Sequence, residues 1–235
     1  MTDLAASYDA DYYASHLGSP YHRGNPEWKA FFGMVADLIV ERIRPETALD
    51  VGCAIGFLVE ELRARGVDAY GIDVSEYAIG QVPQELRPYC RVGSVTEDIG
   101  RDYDLVTCIE VLEHLPPDDA EKAVANITRH VDTVLFSSTP DDHTEPTHSN
   151  VQPPWYWARL FAEHGFLRDA DIDVRAVAQH AVLYRRSAST SSLEIIERYE
   201  RILDHARLER MRTPTTSAPM SLRRRVVRRI SGAYR

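Results

Sequence analysis

Between Thr47 and Arg186 short apolar runs alternate with stretches in which apolar residues recur every three or four positions. The runs read as strands near 47–51, 68–73, 89–93, 103–109 and 132–138. The periodic stretches read as helices near 57–66, 75–81, 118–130 and 153–165. Two last strands, near 166–175 and 177–186, form a hairpin entered through Gly165-Phe166. Strand-helix alternation of this kind predicts an α/β fold: a doubly wound, mostly parallel, seven-stranded sheet with helices on both faces. Ahead of it, Asn25-Pro26 supplies the cap and first residue of a helix that runs to about Arg44. Its apolar side carries Phe31, Phe32, Val35, Leu38, Ile39 and Ile43.

The pattern divides the chain into four segments. Residues 1–44 are a tyrosine-rich N-terminal segment (Tyr8, Tyr12, Tyr13, Tyr21) with its helix, residues 45–186 the α/β domain, residues 187–212 a linker with an amphipathic helix, and residues 213–235 a basic tail. The tyrosines either shape a pocket or cover the edge of the sheet. In the amphipathic helix Ile195, Tyr199, Ile202 and Ala206 form one apolar stripe, which docks on the domain or pairs with a second copy. The tail, with Arg223-Arg224-Arg225, reads as a solvated, disordered end or as a binder of anionic surfaces.

Charge narrows the partners. The net charge of −9 conceals seven arginines in residues 211–235, so residues 1–210 carry −16. An acidic body disfavours a nucleic-acid substrate, whose phosphates require a basic surface. No apolar run is long enough to span a membrane, and Met1-Thr2-Asp3-Leu4 does not resemble a secretion signal. Cys53, Cys90 and Cys108 read as reduced thiols of a cytoplasmic protein.

The candidate chemistry begins at Asp50-Val51-Gly52-Cys53-Ala54-Ile55-Gly56, where the first predicted strand turns into a helix. Glycines there permit positive φ and close approach of a ligand to the backbone, and the helix N-terminus adds unpaired N–H groups. The second strand ends in Asp73, 21 residues beyond Gly52, where an acid can hold both hydroxyls of a ribose. The glycine spacing is G-x-x-x-G rather than that of dinucleotide enzymes, which points to a single nucleoside.

Together with Gly71-Ile72-Asp73-Val74-Ser75, Tyr103-Asp104-Leu105-Val106 and Glu110-Val111-Leu112-Glu113-His114-Leu115, this stretch resembles class I S-adenosylmethionine-dependent methyltransferases, in order from about Ile43 to Arg186. One departure is Ala54, which stands where the family has the middle glycine of its loop. The resemblance implies S-adenosylmethionine as cofactor, with Asp50, Gly52, Cys53, Ala54 and Gly56 around its methionine portion. It further implies Asp73 on the ribose, Val74, Ser94 and Val95 about the adenine, and Ile109 beside the methionine. A lid over the cofactor is also implied for the N-terminal segment.

Methyl transfer to oxygen requires alignment of a hydroxyl and removal of its proton. Histidine suits this, with an unperturbed pKa of about 6.5. His114 is the first candidate; His148, with His143 after it, lies in the long loop 139–152. Glu110-x-x-Glu113-His114 also resembles the metal-binding signature of some members, including ubiquinone-pathway and small-RNA methyltransferases, which implies Glu110, Glu113 and His114 as ligands of a divalent ion such as Mg²⁺. Trp155-Tyr156-Trp157 opens a helix beside these residues; Trp157 has the spacing of a core residue with Leu160 and Phe161. With Asp11-Tyr12-Tyr13 and Thr147-His148-Ser149-Asn150-Val151, that group resembles methyltransferases found with glycosyltransferases, which implies a sugar, glycoside or other small-molecule hydroxyl as acceptor. The alternatives are N- or C-methylation of a small metabolite, or a non-catalytic cofactor-binding scaffold that recruits a glycosyltransferase through the C-terminal helix. A dinucleotide oxidoreductase ranks behind both because of the glycine spacing.

Overall fold

The structure is a computed structural model that describes residues 5–17, 19–188 and 191–212; the arginine-rich tail lies outside them. Seven strands form one sheet: β1 (Thr47–Val51), β2 (Asp68–Asp73), β3 (Cys90–Val92), β4 (Leu105–Ile109), β5 (Thr133–Ser137), β6 (Phe166–Arg168) and β7 (Val182–Arg186). Their order is β3-β2-β1-β4-β5-β7-β6. The first five run parallel, and β7 lies antiparallel to both β5 and β6. This is the seven-stranded, doubly wound sheet that the strand-helix alternation predicts.

Alternation along the central strands sorts the core onto two faces. Ala48, Leu105 and Leu135 point to one side, where α2 (Pro26–Leu38), α3 (Phe57–Ala64) and the short α4 (Glu76–Gly80) bring Trp28, Phe31, Val35, Leu58, Leu62 and Ala78. Leu49, Val51, Val106, Val134 and Phe136 point to the other. There α5 (Pro117–Arg129) and α6 (Pro154–Glu163) supply Val124, Ile127, Trp157, Leu160 and Phe161. Trp157 packs in the core as its spacing predicts, whereas Trp155 is 66% exposed.

Two elements precede the sheet. α1 (Ala10–Ser15) is capped by Asp9, whose side chain accepts the N–H groups of Asp11 and Tyr12. α2 starts at Pro26, with Asn25 Oδ1 accepting the Glu27 N–H at 3.0 Å, and continues as one π-type stretch to Ile43 before Arg44 turns into the left-handed region.

The edge hairpin is shorter than its sequence suggests. β6 stops at Arg168 because Asp169 Oδ1 turns the chain by accepting the N–H groups of Asp171 and Ile172, at 2.7 and 3.2 Å. Asp173 repeats the device on Arg175 at 3.0 Å. Residues 169–181 therefore form a loop, not paired strand. The C-terminal helix α7 (Ser192–Arg212) rests on that loop through Arg198 to the Arg168 carbonyl and Arg201 to Asp171.

Candidate active site

In a sheet of this order the chain leaves β1 in one direction and returns to β4 on its other side, so a crevice opens beyond the carboxyl ends of β1 and β4. The glycine turn closes one wall. Gly52 has φ +72°, and a Cβ there would lie 2.5 Å from a methyl of Val111, so both conformation and space demand glycine. Ala54 also takes a left-handed backbone, φ +48°, and Gly56 follows at +79° to start α3.

Asp73 organises the second wall. It is buried at the end of β2, with Oδ1 accepting the Ser75 N–H and Oδ2 the Ala54 N–H, both at 2.8 Å. Burial pushes its carboxyl above the ordinary range, and the two backbone bonds oppose that shift. Each oxygen keeps acceptor capacity for a ligand. The pocket is lined by Gly52, Ala54, Asp73, Val74, Ser94, Val95 and Ile109 of the expected cofactor residues. Asp50, Cys53 and Gly56 do not line it. Asp50 is turned inward, where Thr107 Oγ1 donates to it at 2.6 Å; Cys53 packs against Gly71; and Gly56 serves the turn.

The N-terminal segment roofs the pocket with Tyr8, Tyr12, Tyr13, Tyr21 and Trp28, all buried. It is tied down beside Asp73 by Ser75 Oγ, which donates to the Tyr8 carbonyl at 2.5 Å. The tyrosines thus lie on a ligand-sized space rather than on the sheet edge. The Tyr8 hydroxyl is buried without a hydrogen-bond partner among the described residues.

The residues expected on the acceptor side stand at the end of β4 and in the loop after β5. Glu110 sits at φ +54°, a strained conformation for a glutamate, and points its carboxylate at His180 Nε2, 2.7 Å away. Burial would raise Glu110, but the bond and charge of His180 bring it below the ordinary range. Glu110 also lines the pocket and hydrogen-bonds the neighbouring Glu113 carboxyl, while the imidazole it meets is that of His180. Glu113, on a single turn of 3₁₀ helix at Leu112–His114, is fully buried; Oε1 accepts the Thr139 N–H at 3.2 Å, and the carboxyl is hydrogen-bonded to that of Glu110. Burial and the neighbouring Glu110 push it well above the usual carboxylate range.

The side chains that do converge are Glu113, His114 and His148, which can place one ligand atom each within 4.8 Å of the others. The His114 and His148 rings are 4.7 Å apart. His148 Nδ1 lies 2.8 Å from the Asp142 carbonyl, which can only accept, so the hydrogen is on Nδ1 and Nε2 is free. Burial and the adjacent His148 lower His114 to about 4, which keeps it neutral at neutral pH. His143 is exposed and apart from this group. One carboxyl group and two imidazoles fit a divalent cation, and they suit a transition ion better than Mg²⁺, which prefers oxygen donors.

His180 went unnoticed in the sequence because residues 177–186 read as strand. Its single signal was being a histidine near the end of the domain.

Residues 29–179 match a family described as "Methyltransferase domain", and the chain belongs to that family. It is 35% identical over 100 residues to a ubiquinone biosynthesis O-methyltransferase of Methylococcus capsulatus, covering 39% of this chain and 42% of that protein. It is 31% identical over 96 residues to a magnesium-protoporphyrin O-methyltransferase of Synechocystis, covering 38% and 42%. The chain thus spans about half the length, or less, of these curated relatives. The fold is shared with the crystal structure of magnesium protoporphyrin IX methyltransferase from Synechocystis with bound SAH (TM-score 0.57, 17% identity, 75% of this chain and 97% of that one). It is shared too with a protein of Pyrococcus horikoshii (TM-score 0.59, 16% identity, 77% and 100%). Among the described residues no helix is long and apolar enough to cross a membrane.

Proposed function

We propose that this chain is an S-adenosylmethionine-dependent O-methyltransferase of a small-molecule hydroxyl. The observation that carries the reading is Asp73, a buried carboxylate at the end of β2 whose oxygens are aligned by two backbone N–H groups on the wall of a nucleoside-sized pocket. Asp73 would hold the ribose, with Val74 and Val95 against the base and the Gly52–Ala54 turn and Ile109 against the amino-acid end. When bound there, S-adenosylmethionine supplies a methyl group on a sulfonium, already a good leaving group. The chain has only to exclude water and align the acceptor. The tyrosine roof performs the first task.

His114 performs the second. It is neutral, and its depressed basicity makes it a weak proton acceptor in the ground state, so we assign it to hydrogen-bonding and orienting the hydroxyl, with His148 beside it. A second reading is favoured by the convergence of three side chains: Glu113, His114 and His148 hold a divalent ion that lowers the hydroxyl's pKa. Binding would displace the Glu113 proton. Co²⁺ titration followed by visible absorption tests that reading without turnover, and silence from wild-type protein removes it.

The narrower acceptor we infer is a sugar or glycoside, supported by Trp155, an aromatic face exposed where α6 leaves the acceptor-side loop. The relatives are instead named for ubiquinone biosynthesis and magnesium protoporphyrin, so planar ring acceptors belong in the same screen. A second copy or a glycosyltransferase is the partner we assign to α7, on the strength of exposed Leu193, Ile196 and Leu203. Calorimetry with S-adenosylmethionine, followed by labelled-methyl transfer to sugars, glycosides and phenols, tests the proposal. Absence of cofactor binding would end it. Binding with transfer only to nitrogen or carbon, or with no transfer at all, would replace O-methylation by the N- or C-methyl or scaffold reading.

A further inference from the structure

The N-terminal helix and the acceptor-side loop meet in a row of hydrogen bonds that the proposed reaction leaves without a task. His16, which ends α1, places Nδ1 3.0 and 3.1 Å from the two oxygens of Glu145. Glu145 Oε1 accepts from the Thr147 hydroxyl at 3.1 Å and from its N–H at 3.4 Å. The same hydroxyl oxygen lies 3.0 Å from His114 Nδ1. Tyr12, one turn before His16, also reaches Thr147 with its hydroxyl, and its ring stacks on that of His16 at 5.4 Å.

The direction of this row follows from counting protons. A threonine hydroxyl has one hydrogen, and an ionised carboxylate only accepts, so the hydrogen points to Glu145. The Thr147 oxygen is then the acceptor toward His114, and His114 Nδ1 must carry a hydrogen. In a neutral imidazole that leaves Nε2 as the lone pair. Around the ring stand Tyr8 and Tyr12 from the N-terminal segment, His148 and Glu145 from the loop, and Glu110 and Glu113 from the end of β4. None of these side chains hydrogen-bonds the ring; the Thr147 backbone does, and a carbonyl there accepts a ring N–H beside the hydroxyl.

We propose that Thr147 and Glu145, clamped by His16 of the N-terminal helix, are positioning residues that hold His114 in its Nδ1–H tautomer. Nε2 is thereby offered to the acceptor side when the N-terminal segment is closed. The inference rests on His114 facing the acceptor, as proposed above. It makes the roof of the cofactor pocket part of the acceptor machinery: the helix that covers the nucleoside also completes the row that orients the imidazole.

The test is long-range ¹H–¹⁵N correlation on full-length protein labelled at histidine, which reads ring protonation nitrogen by nitrogen. Wild type is expected to show His114 as Nδ1–H. Thr147→Val removes the hydroxyl acceptor while keeping the shape and the backbone; it should shift His114 from Nδ1–H toward a mixture and lower kcat by about 10-fold, with cofactor Kd within about twofold. Thr147→Ser should restore both. His16→Ala should reduce the Nδ1–H population in the same direction; a wild-type spectrum there would overturn the part assigned to the N-terminal helix. His114 found as Nε2–H in wild type, or unmoved in Thr147→Val, would overturn the whole. The tautomer is read without turnover, so the expected spectra with no methyl transfer would count against the methyltransferase reading and leave the positioning row intact.

Discussion

The backbone N–H of Ala54 donates to Asp73 Oδ2 across 2.8 Å, joining the turn after β1 to the end of β2. The bond fixes both partners: it orients the carboxylate and it holds Ala54 at φ +48°, where an L-residue with a Cβ is strained. The glycine turn and the acid are therefore one unit.

Ala54→Gly should stabilise the protein. A left-handed alanine costs about 1–2 kcal/mol, and the added freedom of glycine in the unfolded chain offsets roughly 0.5–1 kcal/mol of that. Urea unfolding is expected to show a net gain of about 0.5–1 kcal/mol; a loss would mean that Ala54 makes contacts worth more than its strain.

Asp73→Asn keeps the size of the side chain and removes the charge. Charge-assisted hydrogen bonds contribute about 1.5–3 kcal/mol, so S-adenosylmethionine should bind roughly 10- to 100-fold more weakly by calorimetry. An unchanged Kd would take the ribose away from Asp73.

Asp50 sets a pH dependence of stability. Burial, helped by Asp73 and opposed by the Thr107 bond, raises its carboxyl from the ordinary 3.8 to about 7. Between those values the folded protein holds a proton that the unfolded chain has released, so stability falls as pH rises through this window and levels off above about 7. The drop amounts to roughly 4 kcal/mol at about 1.36 kcal/mol per pH unit. Asp50→Asn should flatten this slope and raise stability at pH 8, measured by denaturant unfolding at pH 5 and 8. An equal slope in the variant would mean that other carboxyls carry it.

His180→Ala should destabilise by about 2 kcal/mol, because it leaves the strained, nearly buried Glu110 carboxylate without its partner. Adding Glu110→Gln should recover part of the loss. If the double variant is no more stable than the single one, the pair does not act as a unit.

Trp155→Ala should leave stability within about 0.5 kcal/mol, since the ring is 66% exposed. A rise in KM for the acceptor with kcat retained is expected if the ring meets the acceptor.

Much of the cofactor half was legible in the sequence. Gly52, Asp73, Val74 and Ile109 stand at strand ends, and a strand end is visible in local apolar periodicity and turn residues. The hairpin is shorter than its apolar pattern because the Asp169 and Asp173 side chains turn the backbone, a signal that apolar periodicity does not carry. The resemblance of Glu110-x-x-Glu113-His114 to a metal-binding signature implies one ligand set. A positive φ at Glu110 and a 3₁₀ turn after it send Glu110 to His180 and Glu113 and His114 to His148.

By itself the sequence determined the strand-helix alternation, the glycine turn and the acid after the second strand, because these depend on neighbours within a few residues. Only the tertiary structure decided that His180 meets Glu110 from 70 positions away and that His16 meets Glu145 from 129 positions away. It also decided that burial keeps His114 neutral. Such contacts follow from how strands order themselves in the sheet and where loops cross its carboxyl edge, and no local pattern encodes that.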